Sequence, residues 1–555
     1  MDFEVFAADN LQKIRLGAKR PETPAYQSDR CMENEVFSYQ LVHTARLDMG
    51  TPKAAMRLEV EGALAPYVTV YEVEHVPSAL PAYPDHDLNY IADQPGLFPD
   101  PLFPLEDNSF FTQRSYYRSL WVEVKPDERS LPPGKHVISI RFIEEKTGET
   151  AARNDFALEV LPISLPEQTL IHTEWLHCDC IANYYGVEVF SEPFWDNTRR
   201  FVRTAVAHGI NMILTPVLTP PLDTQIGGER RTVQLVDISR KGETYSFDFS
   251  KLSRWIEMCR EEGVRYFEIS HLFTQWGAEH APKVMVRLED GTLTRLFGWE
   301  TDALSPEYVE FLRQFLAALT GYLEERGLRE QVFFHVSDEP EMQHLESYRR
   351  AHEIAERFLS GYPIIDALSD FEFYRRGILD RPIPATNHID PFLESGVPGL
   401  WTYYCCGQGV DVSNRFFAMP SARCRVIGMQ MFRHNIKGFL HWGYNFYNTM
   451  YSRKAIDPYA VTDGQMAFPS GDTFLVYPGE GGEPVASIRL KVFQQALQDY
   501  RAFQLAERCC PREELNRMLD EAFGEPLTFR VCPSGAEELL SLRGKLYDML
   551  AAGLA

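Results

Sequence analysis

The chain has 555 residues, 55 Lys+Arg against 79 Asp+Glu for a net charge of −24, and 13% aromatic residues. That aromatic content belongs to a folded protein and not to disorder. The acidic balance argues against nucleic acid and anionic membranes as partners, because phosphate binding needs clustered Lys and Arg. No stretch approaches the roughly 20 apolar residues of a membrane span, so no membrane partner is expected. The N-terminus, MDFEVFAADNLQKIRLGAKR, has no basic region followed by an apolar core, so no secretory signal is expected. Ten cysteines, including the adjacent pairs Cys405–Cys406 and Cys509–Cys510, do not resemble a secreted disulfide framework. A cytoplasmic location with reduced thiols is the expectation.

Residues 1–165 read as an all-β unit, most economically a β-sandwich. Alternating runs at 67–74 (YVTVYEVE), 116–124 (YYRSLWVEV) and 136–143 (HVISIRFI) are separated by turn clusters such as PDERSLPPGK at 126–135. The seven prolines of 77–106 predict a long ordered loop and not a strand pair.

From 166 to 485 apolar strands alternate with amphipathic helices. Strands are predicted at 169–176, 211–216, 266–271, 332–336, 363–368, 385–389, 399–404 and 438–442, and helices at 194–208, 250–262, 305–327, 341–360 and 421–435. In 305–327, Val309, Leu312, Phe315, Leu316, Leu319 and Leu323 recur at three or four, which is one helical face. This alternation fits a (β/α)8 TIM-like barrel better than an open doubly wound sheet. No GxGxxG or GxxxxGK[ST] follows a strand, which disfavours nucleotide-binding folds. The links after 368 and 389 carry no long helix. Two long loops follow strands, 217–249 with Gly227–Gly228 and a hairpin at 283–297 around Asp290–Gly291. Both are expected to wall a ligand cleft at the barrel mouth. Residues 486–555, with helices at 486–509 and 535–554, read as a small C-terminal helical cap on the barrel.

The sharpest chemical signal is VFFHVSDEPE at 332–341, an apolar strand running into Ser-Asp-Glu-Pro and then a helix. The plainer reading is a helix start: Ser337 as N-cap, Pro340 in the first turn, acids favoured by the macrodipole. The functional reading places Asp338 and Glu339 at the C-terminal mouth of the fourth strand, where barrels carry catalytic groups. Neighbouring carboxyls can split their pKa values, one staying protonated as an acid. Two carboxyls on Cα atoms about 3.8 Å apart cannot easily flank a sugar from opposite faces, as an ordinary glycosidase pair must. They suit a substrate that brings its own nucleophile. Glu339 would protonate the leaving oxygen, and Asp338 would orient a 2-acetamido nitrogen while its carbonyl attacks C1.

The second half of the chain resembles glycoside hydrolase family 123 and the wider set called domain of unknown function 4091. The resemblance rests on HVSDEP (335–340), EWLHCDCIANYYGVEVFSEPFW (174–195), WTYYCCG (401–407) and GFLHWGYNFYN (438–448), and covers most of 166–510. It implies a β-sandwich ahead of a TIM barrel, and retaining hydrolysis of β-linked N-acetylgalactosamine through an oxazoline. It also implies Asp338 as the stabiliser and Glu339 as the acid/base.

A sugar pocket needs an aromatic floor and a few fixed polar groups. The last strand offers His441, Trp442, Tyr444 and Asn445, with Trp442 as the expected floor and barrel core as the plainer role. Related mechanisms imply a tyrosine donor for the acetamido carbonyl, and Tyr404 and Tyr444 both remain open; Tyr403 is a further pocket candidate. His177 and Asp179 are candidate sugar contacts, as are His271 and Trp276 after the third strand. Asp366, Asn387 and His388 end the fifth and sixth strands. A metal is not expected at His177-Cys178-Asp179-Cys180, because four consecutive strand residues cannot face one ion. No cofactor is expected, the partner is a small carbohydrate or glycoside, and a homo-oligomer is left open. The reading is an exo-β-N-acetylhexosaminidase, N-acetylgalactosamine preferred. The alternatives are a glycosidase for a non-acetamido sugar, with Asp179 or Asp366 as a distant nucleophile, and a non-catalytic carbohydrate-binding protein. An aldolase or isomerase ranks last, lacking a strand-end lysine or phosphate loop.

Overall fold

The computed structural model describes residues 2–554. The N-terminal region holds two five-stranded sheets. One runs, in spatial order, Asp2–Asp9, Phe37–Arg46, Arg118–Val124, Val68–Ser78 and Gly96–Pro104; the other runs Ser28–Met32, Thr150–Leu161, Gly134–Glu144, Lys53–Glu61 and Ser109–Gln113. Leu41 and Val122 from the first sheet share one apolar core with Ile140 and Phe156 from the second. The inward-facing residues of the two sheets build that core, while Phe37–Arg46 and Arg118–Val124 are buried on both faces.

The expected loop at 77–106 needs correction. Its second half, Gly96–Pro104, is a strand paired antiparallel with Val68–Ser78. It lies at the end of its sheet, the position where proline's missing N–H is tolerated. The edge is then covered: Pro101 bridges Ser487, and buried Asp100 accepts two hydrogen bonds from Arg489 at 2.8–2.9 Å.

In the second half, six parallel strands form one sheet in the order Val332–Phe334, Tyr266–Ile269, Met212–Thr215, Ile171–Glu174, Gly438–His441 and Trp401–Tyr403. Asp366–Ala367 and Pro382–Ile383 form a separate parallel pair. Single bridges, Phe334 to Ile364 and Ala385 to Tyr403, connect that pair to the two ends of the six-stranded sheet. The eight predicted strands are therefore all present as neighbours, but not as one regular ladder. The irregular side coincides with the two links that lack long helices, where only Phe371–Arg375 and Asp390–Glu394 intervene. The sixth strand also begins earlier than predicted, at Pro382, which leaves Asn387 and His388 in the turn beyond it.

Three further expectations change. His177-Cys178-Asp179-Cys180 is not a strand but enters a helix, Cys178–Tyr184. The two long loops join into one four-stranded sheet, Thr244–Asp248, Asp237–Lys241, Val284–Arg287 and Leu293–Phe297. The C-terminal helices do more than cap the parallel strands. Ile488–Ala506 is buried along nearly its whole length, and its cluster joins Trp121 and Leu161 of the N-terminal sheets to Phe439 and Leu546. Lys491 pairs with Glu123 at 2.7 Å and Arg543 with Glu35 at 2.8 Å, so this region is a wedge between the two halves. Among the described residues no helix is long and apolar enough to cross a membrane.

Candidate active site

Beyond Phe334 the fourth strand leaves its ladder, yet its backbone stays tied on both sides. Leu272 N donates to His335 O, Phe273 N to Val336 O, and Trp276 N to Asp338 O, at 2.9–3.2 Å; Glu339 N donates to Ala367 O at 3.0 Å. Glu339 has φ of +43°, in the left-handed region that side chains rarely adopt. In extended backbone, neighbours point to opposite faces. The reversal at Glu339 breaks that rule, and Asp338 and Glu339 line the same cleft.

The cleft is also lined by Trp175, Leu222, Asp223, Gln275, Trp276, Tyr403, Cys405, Cys406, Trp442 and Phe468. Tyr403 donates its phenol hydrogen to Glu339 Oε1 at 2.6 Å. Burial raises Glu339 above the usual carboxylate range, and the Tyr403 hydrogen bond opposes this. Burial also pushes Asp338 well up, and repulsion from Glu339 adds to it. Raising both favours one carboxyl of the pair keeping its proton, as a general acid requires. Asp223, a third cleft carboxyl, is raised to about 6 by burial and accepts from Tyr451 N at 2.9 Å.

Beneath the pair lies a buried charged layer. His335 donates from Nδ1 to Asp366 at 3.0 Å and from Nε2 to Glu268. Burial would depress this imidazole, but the two carboxylates outweigh it and lift its pKa to about 10. Glu268 also accepts from Trp175 Nε1 at 2.8 Å and from Thr173. Asp366 accepts from Tyr348 Oη at 2.6 Å and Val336 N at 3.0 Å. The His335 cation lies close enough to lower Asp338, countering part of its burial.

Of the expected pocket residues, Trp276, Tyr403 and Trp442 line the cleft. The others require correction. Asp366 is fully buried and spends its oxygens on His335, Tyr348 and backbone. Asp179 is locked to Arg230, which donates to both its oxygens at 2.6–2.8 Å. His177 is buried too: Nδ1 accepts from Arg230 at 3.0 Å and Nε2 donates to Trp442 O at 2.8 Å. Asn445 clamps the His177 backbone from both sides, and His441 Nδ1 accepts from Arg415 at 2.7 Å. Tyr444 Oη donates to Phe201 O at 2.9 Å, away from the cleft. Tyr404 packs edge-on against Phe439 and His441. It is the first residue past the strand Trp401–Tyr403 and is buried, whereas Tyr403 at the strand's end lines the cleft. Asn387 and His388 line an adjoining trough instead of the cleft.

His271 is buried and stacks on His335 with ring centroids 4.3 Å apart and planes 20° apart. Donor atoms of His271, His335 and Asp366 lie within 4.8 Å of one another. Nearly parallel rings cannot both hold one ion in their planes, and both His335 nitrogens are already committed, so this geometry does not suit a metal. Sequence reasoning missed Asp223, Gln275 and Phe468 as cleft residues. Only membership of a long post-strand loop pointed towards Asp223, and nothing in the local pattern singled out Phe468. Of the expected walls, the start of 217–249 reaches the cleft through Leu222 and Asp223, whereas the hairpin at 283–297 does not.

A family model described as Glycoside hydrolase 123, catalytic domain, matches residues 175–506. Among solved structures, a family 123 glycoside hydrolase from Clostridium perfringens, described for glycolipid glycan hydrolysis, aligns with TM-score 0.73 and 14% identity over 100% of this chain and 98% of its own. A family 39 glycoside hydrolase from Bacteroides cellulosilyticus aligns with TM-score 0.33 and 10% identity over 88% of this chain and 82% of its own. No curated protein matches the chain.

Proposed function

The chain belongs to glycoside hydrolase family 123, and from that premise we propose a retaining exo-β-N-acetylhexosaminidase, N-acetylgalactosamine preferred, that uses the substrate's own acetamido group. The observation that carries this reading is the side-by-side entry of Asp338 and Glu339 into one cleft, made by the reversed backbone at Glu339. In this reading the eight strands act as a (β/α)8 barrel behind an N-terminal β-sandwich (1–165). The barrel unit in this reading is 166–485, followed by the helical region 486–555.

A β-linked 2-acetamido sugar sits on Trp442 with its acetamido group against Asp338. The amide N–H donates to Asp338, which favours the ionised form there and leaves the pair's proton on Glu339. The carbonyl oxygen attacks C1 to form an oxazoline, Glu339 protonates the departing oxygen, and Glu339 then deprotonates the water that opens the ring. The cleft lining contains three carboxyls and no Lys or Arg, which supports a neutral sugar over a uronic acid or a sulfated one. The test is a panel of aryl β-glycosides with and without 2-acetamido groups, assayed on wild type, Asp338→Asn and Glu339→Gln. Both variants lose most activity on poor leaving groups, and Glu339→Gln recovers when the leaving group needs no proton. Full activity of Asp338→Asn would end the substrate-assisted mechanism.

A second reading has one specific support. Asp223 also lines the cleft and could serve as nucleophile for a non-acetamido sugar, a role closed to Asp179 and Asp366 by their burial. Loss of all turnover in Asp223→Asn with retention in Asp338→Asn would favour it.

A further inference from the structure

We infer that Cys405 and Cys406 form a dithiol site that chelates a trivalent arsenical and closes the catalytic cleft when filled. The chelation stands by itself; its inhibitory consequence rests on the hydrolase reading above. Consecutive side chains diverge in extended backbone, but the chain turns directly after the strand Trp401–Tyr403, and both cysteines line the cleft. That turn is fastened. Cys405 N donates to Gln408 Oε1 at 2.9 Å, and Cys405 O accepts from Asn414 Nδ2 at 2.8 Å and from Gln408 N at 3.1 Å. Both thiols belong to half-buried residues and are reachable. Cys405 Sγ lies 4.0 Å from Glu339 Oε1, so a ligand held by Cys405 occupies the approach to the carboxyl that serves as the acid.

The surroundings favour a ligand that takes up protonated thiols. A hydrogen bond with Cys406, burial and the Glu339 charge push the Cys405 thiol well above its ordinary range. Attack on a peroxide or an alkylating agent, which needs the thiolate, is thereby suppressed. A trivalent arsenoxide carries the protons away itself. Two As–S bonds form, the As–O bonds break, and both thiol protons leave with that oxygen as water; arsenic stays trivalent and no electron is transferred. The second bond closes within the chain, where the neighbouring thiol acts at high effective concentration. The other adjacent pair lacks this arrangement. Cys510 is buried with its Sγ against Glu514 Oε2 at 3.4 Å, whereas exposed Cys509 turns its Sγ to Ala506 O. The remaining cysteines are buried except Cys532, which has no cysteine neighbour in sequence.

The probe is phenylarsine oxide, read by intact-protein mass and by hydrolysis of an aryl β-N-acetylgalactosaminide. Wild type takes up a single phenylarsenic group per chain, which 2,3-dimercaptopropanol removes and the same concentration of a monothiol does not. Loading lowers kcat/KM about a hundredfold, the loss expected when a general acid is shut off, and the dithiol restores it. Cys405→Ser and Cys406→Ser each take up no group that resists the monothiol, whereas Cys509→Ser loads as wild type does. The contrast between dithiol and monothiol is read on wild type, so a variant that fails to fold does not shield the proposal. Loading that survives in both Cys405→Ser and Cys406→Ser, or full activity of the loaded wild type, overturns it. Loading of a wild type that cleaves no acetamido glycoside supports the site and sinks the hydrolase reading; cleavage by a wild type that takes up no arsenical does the reverse.

Discussion

The phenol of Tyr403 donates to Glu339 Oε1 at 2.6 Å across the wall that divides cleft from trough. This bond stabilises the ionised form of Glu339 and so holds its pKa below what burial alone would set. In Tyr403→Phe that opposing effect is gone and Glu339 keeps its proton to higher pH. A general acid loses activity as pH rises through its pKa, so the basic limb of the kcat/KM profile moves upward. Activity at the optimum falls by about tenfold to a hundredfold, as for loss of an oriented charged hydrogen bond. A pH–rate profile on a glycoside with a poor leaving group checks both effects.

Trp442, the expected sugar floor, donates Nε1 to Asp472 Oδ2 at 3.0 Å. Burial lifts Asp472 from 3.8 to about 7, with Arg415 opposing. A carboxyl raised in the folded state binds its proton more tightly there, so this group's contribution to stability falls as pH rises from 3.8 through about 7. Tryptophan emission of the wild type is expected to titrate near pH 7, following Asp472. The transition is absent in Asp472→Asn and in Trp442→Phe; its survival in either variant would assign it elsewhere.

His335 contributes with the opposite sign. Its folded pKa of about 10 lies above the ordinary 6.5, so its stabilisation is full below pH 6.5 and is lost as pH rises towards 10. His335→Gln leaves Glu268 and Asp366 facing each other across an uncharged side chain, a loss of about 3–5 kcal/mol near neutrality. Denaturant titrations at a series of pH values read this directly: the wild-type midpoint declines above pH 6.5, and the variant's declines less.

Gly428 sits where the helix Ile427–Arg433 meets Ile488–Ala506. A Cβ there would lie 1.9 Å from the Ala496 carbonyl oxygen, and both are backbone-constrained. Gly428→Ala forces the helices apart and costs about 1–3 kcal/mol. Tm falls while KM stays unchanged, because the contact lies on the wedge and not at the cleft.

The adjacent acids were legible because an apolar strand ending in Ser-Asp-Glu-Pro is a local pattern. The same holds for Trp442, an aromatic residue directly past a strand end, and for Trp276 in the loop that follows Tyr266–Ile269. His177, Asp179, His271, Asp366, His441 and Asn445 carried an equal signal and went inside. Each is polar and near a strand end, but each found a buried partner or stack: Arg230 for the first pair, His335 for His271 and Asp366, Arg415 for His441, and the His177 backbone for Asn445. Those partners come from distant chain segments, and no local window contains them. Asp223 was the reverse case, an acid in an irregular loop with nothing around it to mark it.

What the sequence determined alone was periodicity and adjacency: alternating strands ahead of residue 165, amphipathic helices after it, and two neighbouring acids where a strand runs out. Hydrophobic spacing and covalent neighbourhood are enough for that. Tertiary structure alone decided direction, namely that Tyr403 and not Tyr404 lines the cleft, and that Glu339 turns to join Asp338 through a positive φ. Which way a side chain at a strand's end faces, and the sign of one dihedral, depend on how the strands pack against their neighbours.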